Sequence, residues 1–250
     1  MAANEERTND KNSRSASLFE FFDEMTQLPK SERELRYRLA VKFKARVDAF
    51  LAAQLADLLT GKYLQEHTSN DYREELFDLY LTMYGEAGEN GRARMYEDSV
   101  TARAGRFSDY IEDTTEKTVQ SAMLSVMPET GENGAYGDLF QLGVPMDKED
   151  IPVAVRRVFS AERGTEIAQN EANWIYNDIG HDLLKKQGQA THTWVSMRDE
   201  KVRVSHMEAD GQTVPIDEPF LVGGYYMLYP LDDSLGAPAS ETVNCRCVEI

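Results

Sequence analysis

The sequence predicts a mainly α-helical protein that ends in a small α+β module of loops and short strands. Three observations predict it. Apolar residues recur at helical spacing between residues 30 and 127. A polar stretch containing Gly and Pro then interrupts the pattern. Beyond it, one strong helical segment gives way to Thr-, Val- and aromatic-rich runs separated by Gly, Asp and Pro.

Residues 1–16 are polar and are expected to form a disordered tail. A helical domain is expected over 17–127. Its first helix is expected to start at Lys30-Ser31-Glu32-Arg33-Glu34, where Ser31 and Glu34 have capping-box spacing, and to run to Thr60 before Gly61. At about 1.5 Å per residue it is about 45 Å long. Leu35, Leu39, Phe43, Val47, Leu51, Leu55 and Leu59 recur every four residues, so each step turns the stripe by about 40°. A winding stripe predicts burial against several neighbours rather than in a two-stranded coiled coil. Arg33, Arg36 and Lys44 fall on one side of this helix and Arg38, Lys42 and Arg46 on the other. A nucleic-acid footprint gathers its charge on one face, so solvated flanks are the plainer reading.

A second helix is expected from Ser69 or Asn70, with Tyr72, Leu76, Leu79, Tyr80 and Met83 inward, and a turn at residues 86–91. A third helical stretch, 92–127, is expected to break near Gly105. Its core candidates are Tyr96, Val100, Phe107, Tyr110, Ile111, Val119, Met123 and Val126. Residues 128–137 then read as a linker and 138–250 as the C-terminal module. Within the module a short helix is expected at Asp150–Ser160. A stronger one opens at Thr165 with Ala168, Ala172, Ile175, Ile179 and Leu183 inward, and closes at Lys185, Lys186 and Gly188. Thr191–Met197 and Asn244–Ile250 read as strands.

The chain has 250 residues and a formal net charge of -17. Such a surface repels phosphate backbones and cannot supply broad sequence-independent DNA binding. No apolar run approaches the roughly 20 residues of a membrane span, and the N-terminus lacks the apolar core of a signal peptide. The expected compartment is the cytoplasm. Two cysteines, Cys245 and Cys247, make no disulfide framework.

On a strand these two thiols share a face. His206 is a candidate third metal ligand, with Asp210 or Asp232 as a fourth. A closed zinc site takes four, so two buried thiols are the plainer reading and zinc the sharper one. No local motif activates either thiol, and Gly223-Gly224 lacks the strand, helix and Lys of a phosphate loop. His206 is a candidate partner for Asp210 at the Asp210-Gly211 turn. Arg163, Glu171, Asn177 and Arg203 are expected in a buried polar network that ties loops to the helix. His67, His181 and His192 look isolated, at surfaces or strand ends.

Several of these residues carry a resemblance. Arg163 to Glu171, with Asn177 beyond, is followed by Trp194, Asp199 to His206, Asp210-Gly211, Phe220, Tyr229-Pro230-Leu231-Asp232 and finally Asn244-Cys245-Arg246-Cys247. This order resembles the phage Mu F-like head morphogenesis proteins over roughly residues 150–250. The chain departs from the family in having Gly164 for the usual Ala and Asn170 for the usual Thr. It also has Val202-Arg203-Val204-Ser205 where many members carry Cys-x-x-Cys, which leaves a family-type metal site without those ligands. The resemblance implies a minor capsid protein, not an enzyme, present in the host cytoplasm during assembly and then in the virion, in the head interior or at the portal vertex. The implied partners are the portal protein and major capsid or scaffold proteins, with packaged DNA as a further one, and neither a membrane nor a small-molecule substrate. It extends the expected structural network to Arg163, Glu171, Asn177, Arg203, His206, Asp210, Asn244 and Arg246. The competing reading is a metal-assisted hydrolase or toxin-like module using the region of His206, Cys245 and Cys247.

Overall fold

The computed structural model describes residues 17–63, 71–89, 97–125, 145 and 147–250. The expected tail, the linker at 128–137, His67, Tyr96 and Val126 lie outside them. The fold is mainly helical, and among the described residues the short antiparallel strands all fall in the C-terminal module.

Helix α1 (Leu18–Asp23) was not anticipated. Ser17 and Glu20 form its capping box, and it buries Phe21 and Phe22. Helix α2 (Lys30–Thr60) ends as expected at Gly61, whose left-handed φ of 75° lets the chain turn away. Its start differs. Pro29 is the N-cap and makes no side-chain cap. The extended Pro29 begins the helix before Ser31, which then lies inside the first turn and cannot cap it, so the expected capping box does not form. The buried face is also straighter than expected: Arg36, Ala40, Phe43, Val47, Phe50, Gln54 and Leu58 follow one side, while Leu35, Leu55 and Leu59 are only half-buried at its edges. The helix packs against several neighbours, α1 and two helices introduced below.

Helix α3 (Asp71–Glu89) continues over residues 86–89 of the expected turn, since Ala87 is fully buried and packing holds the last turn helical. Helix α4 (Glu97–Ser125) runs unbroken past Gly105, because Ala104 and Phe107 on either side are buried. Tyr110 is not a core residue; it is 44% exposed.

A 3-10 turn (Lys148–Asp150) and the short helix α5 (Val153–Val158), with Pro152 as N-cap, replace the single helix expected there. Helix α6 (Ala161–Lys186) starts four residues before Thr165, because Ser160 caps it through a bond from the Arg163 N–H of 3.3 Å. From Glu171 to Ile179 every residue of α6 is buried. Such a helix is a central axis and not a surface element. It lies along α2, and its Trp174 meets Tyr84 and Phe107 with ring centroids 5.8 and 4.1 Å away.

Strand β1 (Thr191–Val195) is flanked by β2 (Thr213–Pro215) and β5 (Val248–Glu249), both antiparallel. Strands β3 (Phe220–Val222) and β4 (Tyr225–Met227) form a separate hairpin. Its turn is Gly223-Gly224, with φ of 60° and 86°, the pair of positive values a two-residue hairpin turn demands. Short helices α7 (Val204–Glu208) and α8 (Ala239–Thr242) interrupt the loops. The expected strands shrink to β1 and β5, and Cys245 lies outside any strand. One continuous apolar cluster joins residues of α1 to α6 with the sheet and Cys245, Cys247 and Val248.

Candidate functional site

Helix α6 organises the module through polar side chains that grip main chain. Asn173 donates to the Cys245 carbonyl at 2.9 Å. Asn177 donates to the carbonyls of Pro230 and Cys247, both at 3.1 Å. Their side-chain oxygens face Arg36 of α2, a residue 2% exposed whose guanidinium bonds Asn177 Oδ1 at 2.9 Å and Asn173, and pairs with Glu32 at 2.9 Å. The same guanidinium lies 5.4 Å over the Tyr176 ring. Arg36 is thus a buried fastener between helices and not a solvated flank. A buried charge is retained where several acceptors surround it.

The expected network is dispersed into separate clusters. Arg163 reaches Thr115 of α4 and the Val158 carbonyl, each at 2.9 Å. Glu171 lies beside Tyr80 and accepts from Asn170 at 3.1 Å; burial pushes its carboxyl up to about 8, with Asn170 and Tyr80 pulling the other way. The Asn170 oxygen accepts the Asn244 N–H at 3.0 Å, holding Asn244 at a left-handed φ of 58°. Arg203 donates to the Val243 carbonyl. Arg246 forks onto Asp199 at 2.7 and 2.8 Å and reaches Glu24 after α1 at 3.4 Å; its bonds hold the Asp199 carboxyl below the usual range. Asp210 accepts from the Ser196 N–H and from Arg198 Nε, both at 2.8 Å, and is not the partner of His206. Arg163, Asn244 and Arg246 do meet in one place: they line a cleft of about 1220 Å³ that also carries Arg156, Glu166 and Lys201.

His206 and the two cysteines come together. The Sγ atoms of Cys245 and Cys247 each lie 3.4 Å from His206 Nδ1. Both cysteines precede the strand, which holds only Val248 and Glu249, and the Cys247 N–H lies 3.4 Å from Cys245 Sγ. On the far edge of the ring, Nε2 is 3.2 Å from Glu241 Oε2, which also accepts from Ser205 at 2.8 Å. Burial pushes the Cys245 thiol up, but hydrogen bonds from Cys247 and His206 outweigh it and hold the group well below the ordinary thiol range. The bond to Cys245, with burial added, pushes the Cys247 thiol up. Burial opposes the charge on His206, and the Cys245 sulfur more than restores it, so this imidazole is raised. The arrangement is a cysteine–histidine pair with a second thiol, both cysteines 2% exposed.

As metal ligands, two sulfurs and a nitrogen suit zinc, and Glu241 orients the imidazole as a metal-bound histidine's outer partner does. Neither expected fourth ligand is present. Asp210 is engaged as described, and Asp232 accepts from the Leu228 N–H and from Ser234. The space beside the cluster is about 10 Å³, room for one water at most.

His181 and His192, expected at surfaces or strand ends, are instead buried and face Glu249 of β5. The signal for His192 was its parity: it alternates in step with Trp194, so an inward Trp194 implies an inward His192. For His181 it was the position seven residues after Trp174, on the same side of α6.

Residues 146–250 match the family model described as Phage Mu protein F like protein. Over 95 residues the chain is 32% identical to the NAD(+)--arginine ADP-ribosyltransferase EFV of Enterococcus faecalis, a match covering 36% of this chain and 19% of that protein. The chain thus spans about a fifth of the length of this curated relative. No solved structure matches it. At residues 146–250, from the turn before α5 to the last strand, the chain carries a Phage Mu protein F like module.

Proposed function

We propose that the chain is a minor head protein of a tailed phage, which associates with the portal or inner capsid during head assembly and DNA packaging or ejection, and which ends in the virion. The family match over residues 146–250 carries this reading. The geometry supports it. The side chains behind the resemblance bond main-chain carbonyls and N–H groups and so make a rigid body. Apolar side chains stand exposed on the packed pair formed by α7 and the β3–β4 hairpin, namely Val204, Met207, Leu221, Tyr225 and Tyr226. Leu221 and Tyr226 are cross-strand partners and share one face of the hairpin, and an exposed apolar face is a common mark of a protein-binding surface. The alternative of a hydrolase at His206 finds less support, because a nucleophile must be reached by its substrate and the space there holds one water at most. The ADP-ribosyltransferase activity named for the bacterial relative is not carried over, since four fifths of that protein lies outside the match.

Co-expression with the portal protein of the same phage, followed by size-exclusion chromatography at moderate salt, tests the reading. Co-elution is expected. Separate elution of two folded proteins, repeated with the major capsid protein, would overturn it.

A further inference from the structure

We propose that His181, His192 and Glu249 form a binding site for a divalent transition-metal ion of the zinc class. The three side chains come from α6, β1 and β5, and all are buried. His192 Nδ1 lies 2.7 Å from Glu249 Oε2, and His181 Nδ1 lies 3.2 Å from both carboxylate oxygens. The candidate ligand atoms all fall within 4.8 Å of one another.

The proton inventory makes this more than a hydrogen-bonded triad. His192 Nε2 is 3.0 Å from the Glu218 carbonyl oxygen, which can only accept. That nitrogen therefore carries the ring's proton, and in the neutral ring Nδ1 is left with a lone pair. This lone pair points at a carboxylate oxygen, another acceptor. Two acceptors at such a distance repel unless a cation lies between or beside them. The second imidazole faces the same carboxylate, with His181 Nδ1 3.2 Å from each of its oxygens. A metal ion supplies the missing positive charge and takes both Nδ1 lone pairs and the carboxylate. The bond from His192 Nε2 to a backbone carbonyl is the outer contact that fixes the tautomer of a metal-bound histidine. Zinc holds nitrogen and oxygen at about 2.0–2.2 Å, which puts tetrahedral ligands about 3.3 Å apart, so His192 and Glu249 open by about half an ångström to admit it. Two imidazoles and one carboxylate select zinc, cobalt or nickel over calcium and magnesium, which prefer all-oxygen sites. The ion would pin the last strand and β1 to the central helix. It shares no residue with the cluster of His206, Cys245 and Cys247.

The competing account of the same contacts is a trapped proton, on His192 or on Glu249. Titrating the chelator-stripped full chain with cobalt(II) separates the two and also distinguishes the two clusters. Cobalt on the cysteines gives thiolate-to-metal charge transfer in the near ultraviolet; cobalt on His181, His192 and Glu249 gives visible ligand-field bands without it. One equivalent of cobalt lacking charge transfer and displaced by zinc is expected. Its affinity should fall at least tenfold in His181→Gln and in Glu249→Gln, whose near-isosteric side chains preserve the packing; far-ultraviolet circular dichroism checks that each variant is folded. The proposal is overturned if the folded, unsubstituted chain binds no cobalt beyond the thiolate-bound fraction, or if both variants retain the charge-transfer-free band. Nitrogen NMR of the histidine rings gives an independent reading. A protonated His192 Nδ1 that zinc leaves unchanged would assign the cluster to the trapped proton.

Discussion

Glu171 shows how one side chain couples the interior to pH. Burial pushes its carboxyl from an ordinary 4.5 up to about 8. Below pH 4.5 the group is protonated in the folded and unfolded states alike. Between 4.5 and about 8 the folded protein keeps a proton that the unfolded chain has released, so stability falls as pH rises, by at most about 1.4 kcal/mol per pH unit from this group. Above about 8 the loss is complete. Glu171→Gln should flatten that part of the profile, read as the difference in urea midpoint between the two proteins across the same pH range. Parallel profiles would show that Glu171 does not hold the proton. The sequence placed Glu171 in a buried polar network, but its charge state depends on how deeply the fold buries it and on Tyr80 and Asp233 brought up by other segments. Arg36 was misread for a similar reason. Its surroundings are Asn173 and Asn177, well over a hundred residues away in sequence, and helical spacing alone cannot tell a buried cation from a solvated one.

Among the elements, α6 comes close to α2 at Gly164. A methyl group there would run into the carboxylate of Asp48, which pairs with Lys44 one turn earlier on α2. Alanine in a helix interior is worth about 1 kcal/mol over glycine, but here it must push Asp48 off its lysine. Gly164→Ala is therefore expected to gain little alone and about 1 kcal/mol in an Asp48→Ala background, a coupling readable from a double-mutant cycle of denaturant midpoints. Identical effects in both backgrounds would mean that the helices do not meet there. Periodicity found α2, α3, α4 and α6, because their apolar faces are long. It misplaced their ends where local signals yielded to packing: Ser31 looked like a cap but lies within a turn set by Pro29, and Gly88 and Gly105 looked like breaks but sit in helices held by buried Ala87, Ala104 and Phe107. Loop geometry was least legible, since Cys245 and His206 meet through a bend that no repeating pattern encodes.

At the scale of the molecule, the helices of the first half and the C-terminal module share one core. Trp174 buries on the order of 200 Å², worth about 5 kcal/mol, and its ring neighbours Tyr84 and Phe107 belong to α3 and α4. A fragment of residues 146–250 should thus lose its near-ultraviolet circular dichroism and bind a hydrophobic dye such as ANS, whereas the full chain should do neither. A fragment with native-like aromatic signals would show that the module stands alone. Asn173 and Asn177, meanwhile, hold carbonyls that lie 53 to 72 positions downstream. Translation runs in that same direction. The ribosome therefore delivers the gripping amides before the segment they grip, and the last stretch of chain emerges onto a template already made.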